Sequence, residues 1–191
     1  MSDIMVDIET LSTHTSNAVI LSVGAVKFDL FEDFPVFHDE KMWVLDAHEQ
    51  IAAGRDVSQN TLKFWADQPP EAREHWACAV DRVPVHVFAN EFREFCSLDS
   101  LIWAHGICFD INNIESLYCN DTAPWRYNKV RDCRTIVNCC AERRQQPGNI
   151  HGSVVAHNPM SDCYAQIWSL WEHWPEALDI APRQEPVSVP A

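Results

Sequence analysis

Acidic side chains and one histidine occur in three short segments, at spacings that suit a metal site. Asp7 and Glu9 stand one residue apart at the end of an apolar run, so in a β-strand both side chains project from the same face. Two carboxylates held this close repel each other unless a cation neutralises them, and Mg²⁺ prefers such oxygen ligands. Taken alone, the pair is more often ordinary solvated charge.

The other two segments provide further candidate ligands. Asp110 follows an apolar stretch and a glycine-containing turn, WAHGICFD, and such turns often carry functional groups, although an Asp can also simply cap a helix. In HNPMSD, Asn158 suits a helix cap and Pro159 the first helical position. His157 then falls in the preceding loop, and Asp162 lies about one turn into the helix. A loop imidazole and a helix-held carboxylate can therefore reach one site.

A sheet is needed to bring these segments together. Strand patterns over residues 4–8, 18–29 and 34–44 predict an antiparallel meander, in which Gly24 marks a bulge or a close backbone approach. A short buried strand is predicted over Leu101–Ala104. Helical spacing is predicted over residues 59–67, 71–79, 84–96, 110–119, 133–143 and 159–174. The order of these elements predicts an α/β fold with one mixed sheet flanked by helices.

The length and charge of the chain limit its function. Its 191 residues suffice for one α/β domain, expected over residues 1–180, while the proline-containing, apolar-poor residues 181–191 are expected to be disordered. The net charge of −14 argues against a protein that coats DNA electrostatically, but not against a nuclease whose carboxylates hold cations. Without a leader or an apolar stretch of about 20 residues, the protein is expected to be soluble, cytoplasmic and independent of membranes.

The eight cysteines include no C-x-x-C pair, which argues against a zinc, iron–sulfur or redox protein. Buried free thiols in a reducing cytosol are the prediction.

Together the three acidic segments resemble the motifs of the DnaQ-like (DEDDh) 3′→5′ exonucleases, whose fold is an RNase H-like sheet. That family has D-x-E on the first strand, an Asp after a middle strand and H-x4-D near the last helix. The matching residues here are Asp7 and Glu9, then Asp110, then His157 and Asp162. A sister group has tyrosine four residues before the final Asp, where this chain has Asn158, so the histidine type fits better.

The resemblance covers roughly residues 3–175. The segments TLKFWADQPPEAR, PWRYNKVRDCRT and VAHNPMSDC are similar to a branch with exonuclease A of T-even bacteriophages and related bacterial and phage exoribonuclease-like proteins. WAHGICFD departs from the W-x-N/R-G-x-S-F-D-like string of this family at His105 and Cys108, which affects how the substrate end is held.

The resemblance implies two-metal hydrolysis of phosphodiester bonds from a free 3′ end, releasing nucleoside 5′-monophosphates. Asp7 would bridge two Mg²⁺ or Mn²⁺ ions, Glu9 and Asp162 would complete the ion that binds the attacking water, and Asp110 would hold the second. His157 would act as general base, since imidazole exchanges protons near neutral pH.

Substrate contacts are also predicted. By resemblance, Thr10 and Leu11 would contact the terminal nucleotide, with ordinary loop packing as the alternative. Trp65 is a candidate for base stacking, although its amphipathic helix favours core packing. Basic residues that would contact the nucleic-acid backbone, unless they form a solvated face, are Arg126, Arg131 and Arg134.

Two rival functions remain. The substrate would be RNA instead of the slightly favoured DNA if the terminal pocket accepts the 2′-hydroxyl. A non-catalytic nucleic-acid-binding module on the same fold would usually have lost active-site residues, and all five are present. The sequence is compatible with an oligomer but does not indicate one.

Overall fold

Five strands, described in a computed structural model, form one mixed sheet. The structure describes residues 3–30, 34–118, 122–144 and 152–178, without the side chains of 140–144 and 174–178. The strands are β1 (Asp3–Thr10), β2 (Ile20–Leu30), β3 (Pro35–Val44), β4 (Leu101–Ala104) and β5 (Val130–Asp132). Their order is β3-β2-β1-β4-β5. The first three strands form the predicted antiparallel meander, and β4 and β5 run parallel to β1.

Helices follow the meander and alternate with the last two strands. They are α1 (Ala47–Ala52), α2 (Gln59–Asp67), α3 (Pro70–Ala77), α4 (Val85–Phe95), α5 (Asp110–Ser116), α6 (Cys133–Arg144) and α7 (Pro159–Leu178). The predicted α/β class is confirmed, and each of the six predicted helices overlaps an observed one.

The elements absent from the prediction are all short. Helix α1 has six residues and begins where Asp46 Oδ1 accepts hydrogen bonds from the amides of His48 (2.8 Å) and Glu49 (3.2 Å). Strand β5 has three residues and follows a single 3₁₀ turn, Tyr127–Lys129. Segments of this length show too few residues for a hydrophobic period to be recognised.

Strand β1 separates two hydrophobic layers. Ile4, Val6 and Ile8 point into the layer formed with α4 and α5. Met5 points the other way, into a layer with α6 and α7 that includes Ile167. Because side chains alternate along a strand, the odd-numbered carboxylates after Met5 must also face α7. The alternation of β1 thus determines which helix completes the acidic site.

Gly24 permits the close packing of α7 on the sheet. It pairs with Asp7 across β1 and β2, and a Cβ at this position would lie 2.7 Å from the carbonyl carbon of Pro159 and 2.8 Å from its oxygen. The predicted close backbone approach is therefore confirmed. It brings the first turn of α7 against β2, beside the end of β1.

The prediction of buried thiols is wrong for half of the described cysteines. Cys96, Cys133 and Cys163 are buried, whereas Cys78, Cys108 and Cys139 are exposed. The exposed ones lie at a helix end, in a turn and on the outer side of α6, where apolar neighbours in sequence do not enclose the thiol.

Two further predictions concern the C-terminal residues and membrane-spanning helices. The predicted disordered tail, residues 181–191, lies outside the described residues. Among the residues that are described, no helix is long and apolar enough to cross a membrane.

Candidate active site

Carboxylates from β1 and α7 converge at one end of the sheet. Asp7 and Glu9 come from the end of β1, and Asp162 comes from the first turn of α7. One oxygen of each lies within 4.8 Å of the others. Glu9 is buried, and Asp7 and Asp162 are partly buried. The D-x-E pair and the later Asp, more than 150 residues apart in sequence, form one cluster.

Asp110 lines the same cavity. It is the first residue of α5, and its backbone amide donates to Gly106 O at 2.9 Å. The side chain is 7% exposed and accepts hydrogen bonds from the amides of Gly106 and of Asp110 itself. The carboxylate therefore tightens the turn and faces the cavity. It does not cap α5, because the cap position is Phe109 and no side-chain cap hydrogen bond is made there.

The four carboxylates lie where negative charge is unfavourable. Burial, followed by repulsion from Asp110, Glu9 and Asp162, raises the pKa of Asp7 well above its usual range. Burial and repulsion from Asp162 and Asp110 raise the pKa of Glu9 to about 8. Burial raises the pKa of Asp110 to about 7 and also raises that of Asp162. The repulsion between these buried carboxylates favours the binding of cations to the cluster.

The donor atoms fit hard divalent ions. Every side chain of the cluster offers carboxylate oxygens, which are the ligands that Mg²⁺ and Mn²⁺ prefer. In the part of the chain that the structure describes, no other group of three or more His, Cys, Asp or Glu side chains is close enough to hold a metal ion. The cysteines therefore provide no competing metal centre there.

His157 stands at the edge of this cluster. It has a left-handed backbone, with φ of 62°, and its Nδ1 lies 4.0 Å from Glu9 Oε1. Its ring contacts Phe64 and Trp65 edge to face, with centroids 5.0 and 6.0 Å apart. Asn158 Oδ1 accepts the amides of Met160 and Ser161, so the predicted helix cap is confirmed. The histidine thus lies in a loop just before α7, with 40% of its side chain exposed.

The space beside the cluster is large enough for part of a nucleotide chain. A cavity of about 540 Å³ is lined by the four carboxylates, His157 and Arg134. A second recess of about 380 Å³ adjoins it, since Ile8, Glu9 and Phe109 line both. The second recess is bordered by hydroxyl and amide side chains: Thr10, Thr13, Ser58, Asn60 and Thr61.

Only some of the predicted substrate contacts face these cavities. Thr10 lines the second recess. Leu11 lines neither cavity and packs with Val19, Leu21 and Trp65 in a small core, which is the ordinary loop packing named as the alternative. Trp65 lines the second recess, but it is 3% exposed and donates its indole N–H to Thr10 O at 2.8 Å, so most of its ring is packed in the core.

The three arginines of the basic run lie in different places and have different partners. Arg134 lines the main cavity, where its Nε donates to His105 Nε2 at 3.3 Å. Arg126 pairs with Asp99 at 3.5 Å, and Arg131 Nη1 donates to the backbone oxygens of Asn128 and Val130. Neither Arg126 nor Arg131 lines the cavity. The basic run spans a turn, a strand and a helix start, so its members point in different directions.

Sequence reasoning missed several residues of the site, including Phe109 and most polar side chains of the second recess. Phe64 lines the second recess and contacts His157. Ser153 donates a hydrogen bond to Asp162 Oδ1. Gln166 donates from Nε2 to Asp7 Oδ1 at 2.7 Å. Gln166 stands four residues after Asp162 on a predicted helix, a spacing that places both on one face and could have identified it.

The fold and the acidic site are those of an α/β nuclease domain with one mixed sheet. Residues 2–174 match the family described as the 3′-5′ exoribonuclease Rv2179c-like domain. Because this match spans most of the sequence, the chain belongs to that family.

Solved structures support the fold. The crystal structure of E. coli exonuclease I with a dT13 oligonucleotide is 17% identical, with a TM-score of 0.68, over 93% of this chain and 42% of that chain. The zinc-bound form of the E. coli exonuclease I–ssDNA complex is 16% identical, with a TM-score of 0.69 and the same coverage. This chain therefore spans about two-fifths of the length of those chains. No curated protein matches it.

Proposed function

We propose that this chain removes nucleoside 5′-monophosphates from the free 3′ end of a nucleic acid by two-metal-ion hydrolysis. The observation that carries the proposal is the convergence of Asp7, Glu9 and Asp162 within 4.8 Å, with Asp110 lining the same cavity. Membership of a 3′-5′ exoribonuclease family supports it.

The four carboxylates would hold two Mg²⁺ or Mn²⁺ ions. Asp7 is the natural shared ligand, because its charge is repelled by those of Asp110, Glu9 and Asp162 together. When bound, the ions would stabilise negative charge on the attacking and leaving oxygens of the phosphodiester. The carboxylates are ionised in that state, and their burial keeps the charges unscreened by solvent.

His157 would accept the proton of the attacking water. Its loop position leaves the imidazole partly exposed, and its Nδ1 lies 4.0 Å from Glu9 Oε1, so the ring stands beside the ligands without being one of the three converging groups. Contacts with Phe64 and Trp65 restrain the ring. A proton acceptor must lie within hydrogen-bond reach of the reacting water, and His157 lines the cavity that this water would enter.

Arg134 and the second recess would orient the substrate. Arg134 is the arginine of the predicted basic run that lines the acidic cavity, and a guanidinium there suits a phosphate oxygen. The recess beyond Glu9 suits the terminal sugar and base, with Phe64 and Phe109 as aromatic walls.

RNA is the substrate class that we propose, although the sequence slightly favoured DNA. The recess next to Glu9 is bordered by five hydroxyl or amide side chains, which can exchange hydrogen bonds with a 2′-hydroxyl, a donor and an acceptor. The description of the family as exoribonuclease domains agrees with this.

The test uses single-stranded RNA and DNA of one sequence, 5′-labelled, with free and with blocked 3′ ends, in Mg²⁺ or Mn²⁺. The expected result is stepwise shortening from the free 3′ end, release of 5′-monophosphates and no reaction in EDTA. RNA is expected to be shortened faster than DNA.

Matched variants link the activity to the site. Asp7→Asn and His157→Ala should lose activity, whereas His86→Ala, which removes an exposed histidine of α4, should retain it. If the wild-type protein binds these strands but leaves them intact with either metal, the catalytic proposal is wrong. Faster shortening of DNA would overturn only the choice of RNA.

A further inference from the structure

Gln166 is a buried side chain of the acidic cavity with no role assigned so far. It lies on α7, one turn after Asp162, and is 4% exposed. Its Nε2 donates to Asp7 Oδ1 at 2.7 Å, and this bond lowers the pKa of Asp7 against the larger effects of burial and repulsion. One end of the amide therefore fixes the orientation of the central carboxylate.

The other end of the amide has no partner. Gln166 Oε1 is buried and makes no hydrogen bond to any residue that the structure describes, yet the side chain lines the cavity with Asp7 and Asp162. With cations bound, Asp7 is ionised and only accepts hydrogen bonds, so in that state the NH₂ group must face Asp7 and the carbonyl oxygen must face away from it. Buried acceptors are normally satisfied, because an orphan forfeits its hydration.

Gln50 shows the usual arrangement in the same chain. It is 1% exposed, its Oε1 accepts from Ile20 N, and its Nε2 donates to Ile20 O and Asp46 O. Both ends of its amide are occupied by backbone groups. Gln166 differs from Gln50 because its acceptor Oε1 makes no hydrogen bond to the described residues.

We propose that Gln166 is a positioning residue of the metal site, in which Nε2 orients Asp7 and Oε1 accepts a hydrogen bond from a water molecule that enters with the divalent ion. This inference rests on the proposed function for the identity of the site. Partners that orient metal ligands commonly contribute 10- to 100-fold to metal affinity or activity.

The test measures Mn²⁺ binding by calorimetry, without substrate, for the wild type, Gln166→Met and Gln50→Met. Methionine has a similar length but neither donor nor acceptor. Gln166→Met is expected to weaken Mn²⁺ binding by about 10-fold or more, measured at a temperature where thermal unfolding in EDTA shows that the variant is folded. Gln50→Met is expected to lower the melting temperature and to leave the Mn²⁺ affinity of the folded protein unchanged.

A second variant keeps the test decisive if Gln166→Met does not fold. Gln166→Asn keeps the amide but is one methylene shorter, so it cannot reach Asp7 at the same distance, and Mn²⁺ binding should weaken in the same direction. Unchanged Mn²⁺ affinity in the folded Gln166 variants overturns the inference. Unchanged affinity combined with slower degradation of RNA but not DNA also overturns it, and assigns Oε1 to the substrate 2′-hydroxyl.

The two proposals fail in different ways. Wild-type protein that binds Mn²⁺ but degrades neither RNA nor DNA contradicts the proposed function, while the binding comparison still tests Gln166. Active wild-type protein with unchanged Mn²⁺ affinity in Gln166→Met contradicts the role of Gln166 alone.

Discussion

Replacing Glu9 with glutamine should stabilise the metal-free protein at alkaline pH while it abolishes metal-dependent activity. Glu9 is 8% exposed and stands against Asp7 and Asp162, so its charge is unfavourable until a cation binds. Glutamine has nearly the same shape and no charge. The repulsion between the carboxylates of the metal-free protein should therefore fall, and the affinity of the cluster for cations should fall with it.

The magnitude follows from the pKa of Glu9. Its value is raised from 4.5 to about 8, so the folded state binds the proton more tightly than the unfolded state. The stability that the bound proton on Glu9 contributes is fully present below pH 4.5 and is lost as the pH rises to about 8. With 1.36 kcal/mol for each pKa unit, the loss reaches roughly 4 kcal/mol. At 2–4 °C for each kcal/mol, the melting temperature of Glu9→Gln should exceed that of the wild type by about 8–16 °C.

The assay is thermal unfolding in EDTA from pH 4.5 to 8.5, repeated with Mn²⁺. The advantage of Glu9→Gln should be small at pH 4.5 and largest near pH 8. Mn²⁺ at 100 times its dissociation constant should stabilise the wild type by about 2.7 kcal/mol and the variant by less. Glu94→Gln removes an exposed carboxylate of α4 and should show neither effect.

Two results would refute this reasoning. One is a Glu9→Gln variant that is no more stable than the wild type at pH 8 in EDTA, which would mean that the cluster is not strained. The other is an equal gain of stability from Mn²⁺ in both proteins, which would mean that Glu9 does not hold the cation.

Three further predictions concern the surroundings of the site. Gly24→Ala should destabilise the protein by about 1–3 kcal/mol in urea unfolding and reduce nuclease activity, because the new Cβ would displace the start of α7 at Pro159; Gly152→Ala, with open space around it, should leave the unfolding midpoint unchanged. Burial lowers the pKa of His75 from 6.5 to about 4, so the stability that the neutral imidazole contributes above pH 6.5 is lost as the pH falls to 4, and the unfolding free energy of the wild type should fall relative to that of His75→Gln over this range; a constant difference would contradict this. Trp65→Phe removes the N–H that donates to Thr10 O and should cost about 1–3 kcal/mol in the same measurement, whereas no cost would show that this bond does not stabilise the loop.

Much of the framework could be predicted because it depends on local patterns. The meander follows from runs of β-branched and aromatic residues, and the start of α7 follows from Asn158 and Pro159. Helix α1 and strand β5 could not be predicted, since six and three residues are too few for a periodic pattern. Their existence depends on a side-chain cap and on pairing with β4.

Side-chain direction in loops could not be predicted. For Leu11 the sequence left a substrate contact and loop packing open, and the side chain packs in a core with Val19, because a loop has no fixed period to indicate which face a residue takes. Arg126 and Arg131 are close to Arg134 in sequence, but only Arg134 reaches the cavity. The sequence shows that the three arginines form a positively charged segment. The direction in which each side chain points depends on the turn between the elements that carry them.

The sequence by itself determined the chemical types and the face of β1 on which Asp7 and Glu9 lie, because the alternation of a strand is a local geometric property. Only the tertiary structure decided that Asp162 reaches them within 4.8 Å, that Gly24 lets α7 approach and that Gln166 holds Asp7. These contacts join segments more than 130 residues apart. Their distances depend on how closely two layers pack, which no local pattern encodes.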